Sequence, residues 1–350
     1  MLTAMTIKRP RRVRLADVAR AADVSVSTAS RALNGYPEIT ASTRARIEEI
    51  AHRLGYRAHA TARTLRMGDV GMVVAVLDPE SLHPAPGRIS HFWSRLLTDV
   101  TSGLSERGMA TLTVMNEQAP ALLGGLPYEA ALVMSTRRDI DQVLAAVPFG
   151  VPLVSPVGHQ VPNRRHVSLG HDYRAAAQAV LEHFRDAGAH SPLVLLPDMD
   201  HTFVELMAAG CAQVAHEHHD VRPRVLRTRG EGFGELVAHE LAAGADAIFS
   251  CLTDGPATLA AVRAAGAEPG IDVLVAVLSD GPVEAYTTPP VTTLAFLPEQ
   301  SAVAVVGAVE TALAGGSGAV LLQFRLDVRA SSRGPLSDRP RSRWPKAPGG

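Results

Sequence analysis

The sequence predicts a multidomain protein: an all-α helix-turn-helix head, then an α/β body of two doubly wound parallel-sheet subdomains. Three observations carry this. Residues 13–57 hold three short helical patterns separated by turn signals. From Val70 onward, apolar runs of strand length alternate with helix-length segments. The charge splits at the same boundary: +8 over residues 1–68, −13 over 69–332 and +4 over 333–350, for a net of −1. At 350 residues and 46% hydrophobic content the chain has room for two or three domains with ample core. A basic head on an acidic body directs only the head toward a polyanion.

Within the head, Leu15, Val18, Ala19 and Ala22 recur at helical spacing, so a first helix buries one stripe. Asp23 occupies the turn, where a residue tolerating a left-handed backbone is required. Ser25 is placed to cap a second helix over Val26–Leu33, in which Ala29 and Leu33 point inward. Val26, Ser27, Thr28, Ser30 and Arg31 are then left outside. Short polar side chains at a helix N-terminus permit close approach to the edges of bases in a major groove. An arginine one turn later can grip guanine O6 and N7 together. Thr40 caps a third helix over Ala41–Leu54 with the stripe Ile47, Ile50, Ala51 and Leu54, and Gly55 ends it.

The segments DVARAADVSVSTASRALNG and LGYRAHATARTLR resemble the head of the lactose repressor/galactose repressor (LacI/GalR) family of bacterial transcription regulators. The resemblance runs nearly without a break from Val13 to Gly68. It implies that Val26, Ser27 and Arg31 read bases, that Thr28 and Ser30 hold phosphates, and that the partner is double-stranded operator DNA. It also implies a hinge helix formed on the operator, with Leu65 wedged into the minor groove and Ala62 close to the groove floor. Ala58 departs from the proline common in the family, which presets the first helical turn.

In the body, strand-like runs lie at 70–77, 109–115, 130–135 and 152–157, with helices near 91–107 and 140–146. A second series opens near Val167, with helices at 173–187, 204–216, 236–243 and 256–265. Its strands fall at 192–197, at RPRVLRT, at 247–252 and at 272–278. Continuous apolar strands between helices indicate parallel sheets covered on both faces, with ligands beyond the strand C-termini. DYRAAAQAVLEHFRDAG, AIFSCLTDGPATLAAVRAAG and FRLDVRASS resemble the periplasmic-binding-protein-like sensor of the same family. By that likeness the chain returns to the first subdomain near Thr292–Leu313 and ends as a strand of the second near 321–328.

Candidate effector-binding groups are Asp78, Asp172, Asp254 and Asp280, all at expected strand ends, where carboxylates accept hydrogen bonds from sugar hydroxyls or amines. Asp172 equally suits a helix cap. Phe92 and Trp93 match the family's aromatic pair, able to stack on a sugar or to serve as core. Met207 stands where the family often has a clamping arginine, and Thr253 where it has asparagine. His216-Glu217-His218-His219 is not the HExxH zinc arrangement and reads as a solvated helix end.

No cofactor, metal or catalytic constellation is expected, so the chain does not read as an enzyme. Cys211 and Cys251 form no disulfide pattern, and no apolar run approaches a bilayer span. A cytoplasmic regulator follows, most simply a repressor that binds a pseudo-palindromic operator under the control of a small-molecule effector, a sugar or related metabolite, in the cleft. A homodimer is expected, since the tail lacks the heptads of a tetramer-forming segment. A solute-binding receptor shares the body but has no use for the head; an α/β enzyme is the other alternative. The expected divisions are a flexible basic N-terminus (1–12), the helix-turn-helix domain (13–57), a hinge (58–68), the sensor (69–332) and a disordered basic tail (333–350).

Overall fold

The computed structural model describes residues 15–33, 36, 38–54, 71–79, 90–135, 137–156, 165–334 and 336. The expected basic N-terminus, the hinge with Ala58, Ala62 and Leu65, and most of the 333–350 tail lie outside the described residues. The chain divides after Val70 into a small helical unit and a large α/β unit.

In the helical unit, α1 is Leu15–Ala21, α2 is Val26–Leu33 and α3 is Ala41–Arg53. Asp23 adopts φ 50°, and Val24 N–H returns to Ala19 O at 3.0 Å, so α1 ends in a tight left-handed turn. Ser25 Oγ accepts from Thr28 N–H at 3.0 Å, and Thr40 Oγ1 accepts from Thr43 N–H at 3.3 Å, capping α2 and α3. Val18, Ala19, Ala22, Ala29, Ala32, Ile47, Ile50 and Ala51 form the core.

Two expectations change. Ser30 is buried rather than outside, at 8% exposure, and Ala32 is fully buried while Leu33 is only half-buried. The cause is that α2 packs against both α1 and α3, so its covered arc is wider than a single stripe. Leu54, expected in the inward stripe, is exposed at the end of α3, although its N–H still donates to Ile50 O at 3.0 Å.

The larger unit holds two six-stranded sheets. The first has the order β11-β5-β4-β3-β1-β2. Its strands are β1 Met72–Leu77, β2 Ala110–Met115, β3 Ala130–Met134, β4 Leu153–Pro156, β5 His166–His171 and β11 Gly318–Leu322. The second has the order β12-β10-β9-β8-β6-β7. It is built from β6 Pro192–Pro197, β7 Arg224–Thr228, β8 Ala247–Ser250, β9 Leu274–Leu278, β10 Thr292–Ala295 and β12 Arg325–Asp327. Every pairing is parallel except that of β12 with β10. The central strands are buried on both faces, as their unbroken Val, Leu and Ala runs require.

Helices α4 His91–Glu106, α5 Ala119–Leu122 and α6 Asp141–Ala146 cover the first sheet, with α11 Pro298–Leu313 returning to pack against α4. Helices α7 Tyr173–Asp186, α8 Thr202–Glu217, α9 Phe233–Ala242 and α10 Gly255–Ala264 cover the second.

The connections between subdomains correct the expected ones. Strand β5, read as the opening of the second series, pairs with β4 and β11 in the first sheet. The strand Thr292–Ala295 stays in the second sheet, and the return begins only with α11. Of the final segment, Gly318–Leu322 joins the first sheet and only Arg325–Asp327 the second. Partner choice by a short strand depends on which sheet edge is left open, a tertiary property absent from its own residues.

Candidate functional site

In the helical unit, α2 presents its N-terminal turn outward. Val26 is 49% exposed, and Ser27 and Arg31 are exposed beside it. The Ser25 hydroxyl lies 2.7 Å from Ser27 Oγ and 2.8 Å from Thr28 Oγ1, so the polar groups of this turn are held as one cluster. Arg44 donates to Tyr36 O at 2.8 Å, tying the start of α3 to the segment after α2. The first turn of α2 carries no acidic side chain, and Arg31 lies in its last turn, which leaves a face suited to a phosphate-lined groove.

In the α/β unit a cavity of about 340 Å³ opens between the two subdomains. One wall is the start of α4, with Ser90, His91, Phe92 and Trp93. Ser90 Oγ accepts from Trp93 N–H, which caps that helix and turns both rings into place. The opposite wall comes from turns following β6, β8 and β9. Phe92, His171, Tyr173, Phe203 and Phe296 form one aromatic cluster of edge-to-face and tilted contacts, with His171 and Phe296 centroids 4.6 Å apart.

The predicted residues separate into two sets. Phe92, Trp93, Asp254 and Asp280 come together on the cavity wall. Asp254 also caps α10, accepting from Ala257 N–H at 2.9 Å. Asp280 Oδ1 accepts from Phe296 N–H at 2.7 Å and Leu297 N–H at 2.9 Å, fixing the backbone where the chain crosses between subdomains. Leu297 sits there at φ 53°, a conformation rare for a side chain of its shape. Burial pushes the Asp280 carboxyl up to about 6, against the pull of those two amides.

Asp172 and Asp78 are not brought to the cavity wall. Asp172 is exposed and caps α7, accepting from Ala175 N–H at 2.9 Å. Asp78, at the end of β1, is fully buried, with His201 Nε2 3.6 Å from its Oδ2. His201 belongs to the second subdomain and bridges to Arg137, while Arg138 N–H donates to Asp200 O at 3.2 Å. These contacts join the subdomains beside the cavity. Met207 is wholly buried in the second core and supplies no polar group to the wall.

Sequence reasoning missed His201, Tyr173, Phe203, Glu284 and Phe296, all on the wall. Tyr173, Phe203 and Phe296 read as ordinary apolar positions, and Glu284 sits in a short 3₁₀ turn without periodicity. Only the alignment of strand C-terminal ends could have pointed to them. Among the described residues no group of three or more His, Cys, Asp or Glu could hold a metal, and His218 instead receives the Arg185 guanidinium at 2.6 Å. No helix among them is long and apolar enough to cross a membrane.

Known proteins place this arrangement. The description "Bacterial regulatory proteins, lacI family" matches residues 14–59. The HTH-type transcriptional regulator PtxS of Pseudomonas putida is 29% identical over 338 residues, covering 91% of this chain and 94% of that one. The lac repressor dimer, solved with operator and the anti-inducer ONPF, superposes with a TM-score of 0.67 at 21% identity, covering 92% of this chain and 99% of the other. A cellobiose complex of the regulator CelR superposes with a TM-score of 0.63 at 23% identity, covering 91% and 100%. The family match is confined to residues 14–59, while the similarity to the PtxS regulator runs along almost the whole length of both chains. Residues 14–59 thus carry the helix-turn-helix match to bacterial regulatory proteins of the lacI family, and the chain as a whole is similar to HTH-type transcriptional regulators and shares the fold of the lac repressor.

Proposed function

We propose that the chain represses transcription by binding a pseudo-palindromic operator as a homodimer in the cytoplasm, under the control of a small molecule in the sensor cleft. The outward turn of α2 carries this reading. Val26, Ser27 and Arg31 are exposed on a rigid capped helix, within a head of net charge +8. Val26, Ser27 and Arg31 read base edges, Thr28 holds a phosphate, and the buried Ser30 packs the helix from behind.

Ala62 and Leu65, outside the described residues, are assigned to the minor groove, with Leu65 as the apolar wedge that opens a base step. Two-fold symmetry of the operator mirrors that of the protein. The likeness to a repressor solved as a dimer on its operator supports this reading, and the likeness to a cellobiose-bound regulator supports a metabolite in the cleft. The effector acts by binding one arrangement of the two subdomains more tightly than the other.

Selection of bound sequences from random DNA, followed by gel shifts, tests the proposal. A palindromic consensus is expected, and selection of no preferred sequence would reject it. Arg31→Ala should lose discrimination at one position of each half-site, at about 1–3 kcal/mol. Equal weakening on every sequence would instead make Arg31 a phosphate contact.

A further inference from the structure

We propose that the effector of this chain carries a protonated amine: the cleft is built for a small organic cation rather than for a neutral polyol or an anion. This rests on the reading of the cleft as the effector site.

The charged groups of the wall are all carboxylates. Asp254, Asp280 and Glu284 line the cavity, and no lysine, arginine, asparagine or glutamine does so among the described residues. Ionised carboxylates only accept hydrogen bonds. An ammonium brings three donors and no acceptor, which matches such a wall. A sugar hydroxyl brings acceptor lone pairs as well, and for these the wall offers hydroxyls and the rings of His91, His201 and Trp93 in place of amide or guanidinium donors. The Thr253 hydroxyl is already engaged by Ser250 at 3.1 Å and Thr258 at 2.8 Å. An anion meets three like charges and is rejected.

Glu284 points independently to a ligand that donates hydrogen bonds. It is 2% exposed, and its Oε1 accepts from Gly255 N–H at 3.3 Å. Its Oε2 is buried without a hydrogen-bond partner. A carboxylate oxygen in that condition is costly until a donor reaches it. Gly255 makes the approach feasible, because a Cβ there would lie 3.0 Å from Glu284 Cγ. On Asp280, Oδ1 takes the two backbone amides and leaves Oδ2 for the ligand.

The rest of the wall suits the remainder of such a ligand. Phe92, Trp93, Tyr173, Phe203 and Phe296 surround the space. Aromatic faces attract cations, and aromatic bodies accept a ring or short apolar chain. A volume of about 340 Å³ is at the small end of ligand pockets, which limits the body to a single ring or similar.

Matched probes on the full chain test the amine itself, separately from the body that bears it. Calorimetric titrations would compare D-glucosamine with D-glucose, and 2-phenylethylamine with 2-phenylethanol, with phenylacetate as the anion. In at least one pair the amine should bind roughly tenfold or more tighter than its neutral partner, as expected for a charge-assisted bond. Glu284→Gln keeps the acceptor for Gly255 and should reduce that advantage to about threefold or less, leaving the neutral partner's affinity unchanged. Asp254→Asn provides the second variant if Glu284→Gln unfolds.

The proposal is overturned if the neutral partner binds as well or better in both pairs, if phenylacetate binds best, if no probe binds, or if the amine advantage survives both variants. A gel shift with the cleft-filling Ser279→Trp separates this from the underlying reading. Unchanged operator affinity there would remove the cleft from control of DNA. Altered affinity with no amine preference would retain the effector cleft and reject only the cation.

Discussion

Gly210→Ala should destabilise the α/β unit by about 3 kcal/mol or more, lowering its melting temperature by roughly 6–12 °C. Helices α7 and α8 pack so closely at this point that a Cβ on Gly210 would lie 2.4 Å from Arg174 O and 2.9 Å from Ala177 Cβ. The nearest atom belongs to the backbone, so no side-chain rotation relieves the clash; the helices must move apart. Separation would loosen the core that contains Val180, Met207, Cys211 and Val214.

Gly307 in α11 is the matched control. A Cβ there meets nothing within 4 Å, so Gly307→Ala should stabilise the protein by about 0.5–1 kcal/mol through helix propensity alone. Opposite signs for one chemical change at two helical glycines isolate the close approach as the cause. A wild-type melting temperature for Gly210→Ala would show that the helices do not meet as described.

The second large effect is an acid response in which two buried groups oppose each other. Burial among Phe92, Tyr173 and Phe296 lowers His171 to about 4 from its ordinary 6.5, although its Nε2 lies 3.0 Å from Phe296 O and 3.5 Å from Ser301 Oγ. Between pH 6.5 and 4 the unfolded chain therefore takes up a proton that the folded chain refuses. Stability from this group is full above 6.5 and falls on acidification, by about 3 kcal/mol.

Asp280 works the other way. Its carboxyl is raised to about 6, with Glu299 adding to the rise and Arg325 and the Phe296 and Leu297 amides opposing it. Between pH 6 and its ordinary 3.8 the folded chain holds the extra proton, so stability from Asp280 rises on acidification and is lost as pH climbs through 6. The wild type should accordingly show a muted response over pH 6.5–4. Asp280→Asn retains an acceptor for both amides, so it should be more stable than wild type near pH 7.5 by about 1–3 kcal/mol and lose stability steeply in acid. His171→Gln keeps a donor for Phe296 O and should gain stability on acidification over the same range. Melting curves in closely spaced buffers would read all three slopes. Parallel profiles for the wild type and both variants would assign the acid response elsewhere.

The head was the most legible part of the chain. Its caps at Ser25 and Thr40, its turn at Asp23 and the limits of α2 all follow from local chemistry, in which a hydroxyl or a left-handed backbone acts within three or four residues. The central strands of both sheets were legible for a related reason: doubly covered parallel strands must be apolar on both faces, so their sequences announce them. Exposure within α2 was less so, because Ser30 is covered by neighbours on two sides that its own helical phase does not reveal. In the cleft, four of the six expected groups reach the wall: Phe92, Trp93, Asp254 and Asp280. Asp254 and Asp280 follow strands, as ligand groups in such sheets do, whereas Asp78 and Asp172 follow strands too and were turned to a buried contact and a helix cap.

From the residues alone came the family resemblance, the division into a basic head and an acidic body, and the order of most helices and strands, because each depends on interactions among near neighbours in the chain. The short helix Ala119–Leu122 and the separate strands Gly318–Leu322 and Arg325–Asp327 were not among them. Only the folded chain decided that β5 and β11 complete the first sheet and that β12 closes the second antiparallel to β10. It also decided that Glu284, in a turn after β9, meets Gly255 at the start of α10. Those choices bring together residues tens to more than a hundred positions apart, and they depend on which edges and walls remain open once the rest has packed.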